Sequence, residues 1–152
     1  MPEQQPVLNQ LNLVVRDMAA ALTFYQRLGL EVRDAGPEWA EWSPHHQTLV
    51  QPNGVHLDLD SEAFARWWNR GWPAGHGGGM GVPGFRVESR EAVDRIYGEL
   101  TSAGYRGQQE PYDAFWGARF AVVEDPDGNA VGLTSTLDDA WRTPPPDVSS
   151  FA

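Results

Sequence analysis

Apolar and polar positions along the chain fall into two runs with the same layout. Leu8 to Val15 is rich enough in Leu and Val for a buried strand. Asp17 follows as a helix N-cap, and Met18, Ala21, Leu22, Tyr25 and Leu28 then mark one helical stripe that stops at Gly29. Leu30–Arg33, Trp39–Ser43 and Thr48–Gln51 read as strands. After the Pro52-Asn53-Gly54 turn, Val55, Leu57 and Leu59 alternate with His56 and Asp58, the period of a strand with one face buried. The second half repeats this order. Gly84–Val87 reads as a strand, Ser89 as the N-cap, and Val93, Ile96, Tyr97 and Leu100 as the stripe, closed at Gly104. Tyr105–Gln109 and Phe115–Val123 read as strands, and Pro126-Asp127-Gly128-Asn129 turns into Ala130–Ser135. The helices repeat 72 positions apart and the hairpin turns 74 apart. Both halves therefore predict β-α-β-β-β, an α+β fold of two tandem modules.

The boundaries expected are one domain over residues 7–136, with module one at 7–60, a linker at 61–81 and module two at 82–136. Ser61 can cap a short helix that carries Phe64, Trp67 and Trp68 on one face. Seven glycines between positions 71 and 84 make a flexible connector or a lid; no Gly-Lys-Ser/Thr follows, so they form no phosphate-binding loop. The tail at 137–152, with Pro144-Pro145-Pro146, reads as peripheral.

Composition narrows the functions. At 152 residues and 41% hydrophobic, with seven Trp, six Phe and four Tyr, the chain can bury a core. A net charge of −10 excludes the basic face that nucleic acid needs, and favours a cationic ligand if it favours any. The chain has no cysteine, which excludes disulfides, Cys-ligated zinc and thiol catalysis. No apolar run approaches the roughly 20 residues of a membrane span, and the first ten residues have neither a basic nor an apolar leader segment, so a cytoplasmic protein is expected.

Three segments carry a family resemblance: Asn12-Leu13-Val14-Val15-Arg16-Asp17-Met18, then Phe24-Tyr25 with Leu28-Gly29-Leu30, and Phe120 to Val131 with its Asp125-Pro126-Asp127-Gly128-Asn129 hairpin. In this order and at paired-module spacing the chain resembles the vicinal oxygen chelate proteins: glyoxalase I, ring-cleaving dioxygenases and bleomycin-resistance proteins. The resemblance implies two βαβββ modules whose curved mixed β-sheets form a cleft, and a homodimer. It also implies a divalent metal held by one residue from the first and one from the last strand of each module. Those positions here are Gln10, Val82, Asp58 and Gly132. Val and Gly side chains have no lone pair to donate, so no metal and no other cofactor is expected. His45 and His46 follow Pro44 in an apparent turn and read as exposed; His56 shares a strand face with Asp58, and His76 lies in the glycine-rich segment.

What remains is binding. Seven indoles suit a planar heteroaromatic or cationic ligand, at about 0.5–1.5 kcal/mol per aromatic pair beyond area burial. The candidate ligand-binding residues are Gln10, Trp39, Trp42, Asp58, Trp68, Trp72, Phe115, Trp116 and Arg119, with no catalytic residue assigned. Trp39 and Trp42, three apart in a strand, would point to opposite faces, so that one at most lines the cleft. Arg119 either faces the cavity or pairs with a carboxylate near Glu124. The expected function is metal-independent sequestration of a small molecule such as an antibiotic. The alternative is a glyoxalase- or dioxygenase-like lyase using a divalent metal.

Overall fold

Each α-helix among the described residues begins where a short polar side chain can take the place of a missing carbonyl. A computed structural model of the protein describes residues 10–68, 81–147 and 149, in two compact units, Met1–His76 and Gly77–Ala152.

In the first unit β1 (Gln10–Val15) leads into α1 (Met18–Leu28). The Asp17 carboxylate accepts the Ala20 amide N–H at 3.0 Å, and Gly29, at φ 113°, closes the helix in the left-handed conformation that favours glycine. Three strands, β1, β2 (His46–Leu49) and β3 (His56–Ser61), form a mixed sheet in the order β1-β3-β2, with β1 parallel and β2 antiparallel to β3. Val15, Leu49, Leu57 and Leu59 are buried, as are Ala21, Phe24, Tyr25 and Leu28 of α1, which packs on β3. Burial of each large side chain among them contributes about 1.5–3 kcal/mol. A short helix α2 (Glu62–Trp68) follows β3, its Phe64 amide donating to the Ser61 hydroxyl at 3.1 Å, as expected for Ser61.

In the second unit β4 (Gly84–Arg86) leads into α3 (Arg90–Ser102), capped by Ser89, which accepts the Ala92 amide at 3.0 Å. A four-stranded mixed sheet runs β4-β7-β6-β5, from β5 (Gly107–Asp113), β6 (Arg119–Glu124) and β7 (Ala130–Thr134). Ala121, Val123, Val131 and Leu133 are buried, as are Ala92, Val93, Ile96 and Leu100 of α3, which packs mainly on β6.

The internal repeat extends to register. Asn12 faces Asp58 in the parallel pair of the first sheet, and 72 and 74 positions on Gly84 faces Gly132 in the second. Thr48 faces Asp58 and His46 faces Asp60; 74 positions on, Val122 faces Gly132 and Phe120 faces Thr134. The two hairpin glycines, Gly54 and Gly128, share φ 82°, and each donates its amide to the carbonyl three residues back. The chain is thus α+β, as the hydrophobic pattern predicts, and its two sheets are mixed, as the resemblance implies.

Several strand assignments change. Leu30–Arg33 is reduced to a bridge between Val32 and Leu49, flanked by two backbone hydrogen bonds to the β2 edge. Trp39–Ser43 is no strand: Pro37–Trp42 is a 3₁₀ helix, entered through Gly36 at φ 90° after the Asp34 side chain has accepted the Gly36 N–H. Pro37 sits at its start, where φ is already set for a helical turn. The strand read at Thr48–Gln51 begins earlier, at His46, and the one read at Tyr105–Gln109 runs later, over Gly107–Asp113. Phe115 and Trp116 lie in a tight turn ahead of β6 rather than in it. That turn needs Gly117 at φ 97°, where a Cβ would lie 2.5 Å from the Asp138 carbonyl oxygen.

Candidate functional site

The side chains of β3 divide sharply. Leu57 and Leu59 point to the α1 side; Asp58 and Asp60, alternating with them, are buried on the other. A buried carboxylate is costly unless donors reach it. Here the neighbouring strands supply them. Thr48, directly opposite on β2, donates its hydroxyl to Asp58 at 2.8 Å. Asp60 receives the Asn12 side-chain amide at 2.8 Å and Nδ1 of His46 at 2.7 Å. A carboxylate only accepts, so Nδ1 of His46 is the donor in this bond, and in the neutral ring that leaves the lone pair on Nε2. The Asp60 side chain is 1% exposed and that of His46 38%, so the pair runs from the interior to an open surface.

That surface is a cavity of about 440 Å³. Its described walls come from the first unit alone: Trp39 and Trp42 of the 3₁₀ helix, His46 of β2, Phe64 of α2, and Arg33 and Asp34 of the intervening loop. Phe64 anchors the aromatic part. It meets Trp42 edge-on at 5.3 Å and His46 edge-on at 5.8 Å, and stacks on Trp67 at 6.0 Å. Trp39 and Trp42 both line the cavity, which corrects the expectation that only one could. Residues three apart eclipse in a 3₁₀ helix, whereas in a strand they oppose.

The other candidates are not gathered there. Gln10 lies exposed on β1 opposite His56, on the same face as Asp58 but outside the cavity lining. Trp68 is the last residue of α2, while Trp72 and His76 lie outside the described residues. Phe115, Trp116 and Arg119 belong to the second unit. Trp116 packs edge-on against Tyr112, Phe115 and Phe120 in one aromatic cluster. Arg119 is committed to carboxylates: Nε and Nη2 donate to Asp94 at 2.9 and 3.3 Å, and Nη1 to Asp113 at 3.2 Å. The hydrogen bonds that Arg119 donates to Asp94, against a smaller opposing effect of burial, raise its guanidinium above the ordinary value. Arg90 completes the network, donating to Asp113 and lying 3.9 Å over the Trp141 ring.

The residues to which sequence reasoning assigned no ligand-binding role are His46, Asp60, Asn12, Phe64 and Arg33. Pro44 suggested a turn and so an exposed His46. The 74-residue offset would have placed it in a strand, because its repeat mate is Phe120.

The metal positions implied by the resemblance do not fit an ion. Val82 is 53% exposed and carries no donor atom. Gly132 has no side chain to donate, and a Cβ there would lie close against the Phe120 ring at 3.3 Å and 3.5 Å from the Gly84 Cα. Among the described residues no group of three or more His, Asp and Glu side chains converges on a common point.

Known structures share this fold. A glyoxalase-related enzyme from Fulvimarina pelagi superposes with a TM-score of 0.70 at 19% identity, over 88% of this chain and 89% of that one. A glyoxalase/bleomycin resistance protein/dioxygenase family enzyme from Burkholderia phytofirmans gives 0.69 at 23% identity, over 86% and 98%. A lactoylglutathione lyase from Agrobacterium tumefaciens gives 0.62 at 18%, over 88% and 96%. No functionally curated protein matches the sequence. Residues 7–133 match the family itself, and the chain belongs to the Glyoxalase/Bleomycin resistance protein/Dioxygenase superfamily.

Proposed function

We propose that this protein binds a small aromatic molecule in the first-unit cavity without a metal, and that it holds the molecule without transforming it. An antibiotic is the best-motivated example. The observation that carries the reading is the convergence of Trp39, Trp42 and Phe64 on one cavity of about 440 Å³. That volume lies within the roughly 300–1,000 Å³ of small-molecule pockets, and its aromatic walls offer stacking to a planar ring. The net charge of −10 adds long-range attraction for a ligand that also bears a positive group, while the cavity wall itself is mixed, with Arg33 beside Asp34.

The test is titration of planar heteroaromatic compounds, antibiotics included, followed by tryptophan fluorescence and by mass spectrometry of the recovered ligand. A cognate compound should quench stoichiometrically, lose at least about tenfold in affinity in Trp39→Ala/Trp42→Ala, and return unchanged. A modified product would remove the sequestration reading; quenching untouched by the double substitution would remove this cavity. Pairing of two copies in the cytoplasm belongs to the same reading, supported by the exposure of Trp67, Leu137 and Trp141. Sedimentation of the titrated samples as monomers at every concentration would remove the pairing.

A further inference from the structure

His46 is more than a wall of the cavity. One ring nitrogen is held by Asp60, and the other, Nε2, has no hydrogen-bond partner among the described residues. The ring lines the cavity and Asp60, behind it, is buried. Asn12 holds the second oxygen of that carboxylate, so its position is fixed from two strands. A buried carboxylate that holds Nδ1 of a cavity-lining imidazole leaves the neutral ring's Nε2 as a proton acceptor and stabilises the imidazolium that results. Arg33 lines the same cavity and has no ion-pair partner among the described residues, so a cation is at hand for the oxygen that loses the proton.

The second unit lacks this arrangement. The positions repeating His46, Asp60 and Asn12 are Phe120, Thr134 and Gly84. The shared fold therefore does not require the pair, since the same sheet position is filled there by an apolar ring packed on Trp116.

We infer that the cavity is a site for an aromatic hydroxyl compound, whose acidic O–H hydrogen-bonds to Nε2 of His46 and passes its proton there, with Asp60 as the positioning residue. In the transfer the O–H bond breaks and an N–H bond forms on Nε2, leaving a phenolate beside an imidazolium and Arg33. No bond of the ligand's carbon frame changes. The inference rests on the cavity being the binding site proposed above, and adds the class of ligand.

The experiment uses the full chain and three coumarins: 7-hydroxycoumarin, its methyl ether 7-methoxycoumarin, and coumarin-3-carboxylate. The hydroxyl compound should bind at least about tenfold more tightly than the ether, because only it satisfies Nε2. Bound to the protein below the pH at which it ionises free in solution, it should show the red-shifted phenolate absorbance. His46→Phe, which copies the molecule's own solution at Phe120, should bind the hydroxyl compound and the ether equally and lose the phenolate band. Asp60→Asn should lose the band even where the hydroxyl compound stays bound; if circular dichroism shows that variant unfolded, the His46→Phe comparison decides. Equal binding of hydroxyl compound and ether by the wild type overturns the inference while leaving the cavity reading standing. Tighter binding of the carboxylate, independent of His46, also overturns it, and transfers acid recognition to Arg33. Failure of all three coumarins to bind overturns the inference, and the wider titration of planar heteroaromatic compounds then decides the cavity reading separately.

Discussion

Asp113 sits between two guanidinium groups, and its titration measures what that network does. Burial opposes its charge, yet the hydrogen bonds from Arg90 and Arg119, with the fields of both, outweigh it and hold the carboxyl below its ordinary 3.8. A carboxyl whose folded value is depressed stabilises the fold above its unfolded value, and loses that contribution as pH falls through the folded one. The second unit should therefore gain from Asp113 at neutral pH and lose the gain progressively below 3.8. Thermal melts of wild type and Asp113→Asn should differ by a small margin at pH 7 and converge in strong acid. A gap that holds constant down the pH scale would show that the ion pairs contribute nothing. The same network explains why Arg119 was unreadable in the sequence. Alternation placed it on one face of β6, but its partners Asp94 and Asp113 come from a helix and another strand, 25 and 6 residues away.

Secondary-structure elements were most legible where a local chemical signal fixed them. Asp17 and Ser89 stand 72 apart, and each accepts the amide three residues on, at 3.0 Å in both helices. Such caps are worth about 0.5–2 kcal/mol. Asp17→Ala and Ser89→Ala should each cost that much in denaturant titrations, and a loss confined to one of the two would break the equivalence of the modules. Both helix stripes and both hairpin glycines were equally plain, because periodicity and positive φ leave direct marks in sequence. The segment from Leu30 to Gln51 was not plain. Its apolar residues are sparse, Trp39 and Trp42 have a spacing common to a bent strand and a 3₁₀ turn, and only Gly36-Pro37 hinted at the turn. His46 suffered most from this. A strand starting two residues after a proline is decided by pairing with Asp60, a contact 14 residues away that no local pattern records. The site was thus legible in its indoles and not in the polar pair behind them.

At the scale of the molecule, the two units answer the same sheet position with opposite chemistry. The first lines it with His46, Thr48, Asp58 and Asp60, the second with Phe120, Val122, Gly132 and Thr134. A four-ligand metal centre of the kind the resemblance implies would draw on both units, and its two positions in the second, Val82 and Gly132, carry no donor side chain. A side chain restored at position 132 would have its Cβ 3.3 Å from the Phe120 ring, which would have to give by a few tenths of an ångström. On the first unit's side, Asp58 already accepts from Thr48, and Asp60 from both His46 and Asn12; an ion would have to compete with those donors. After separate dialysis against Zn²⁺, Ni²⁺, Mn²⁺ and Fe²⁺, elemental analysis should find well under one ion per chain. Chelator treatment should leave both the melting temperature and coumarin binding unchanged. One tightly held ion per chain would mean that ligands come from elsewhere than Gln10, Val82, Asp58 and Gly132, and would put a metal-dependent lyase ahead of sequestration. An ion lost on His46→Phe would further identify the imidazole as a ligand instead of a proton acceptor, because a lone pair given to a metal cannot also take the hydroxyl proton.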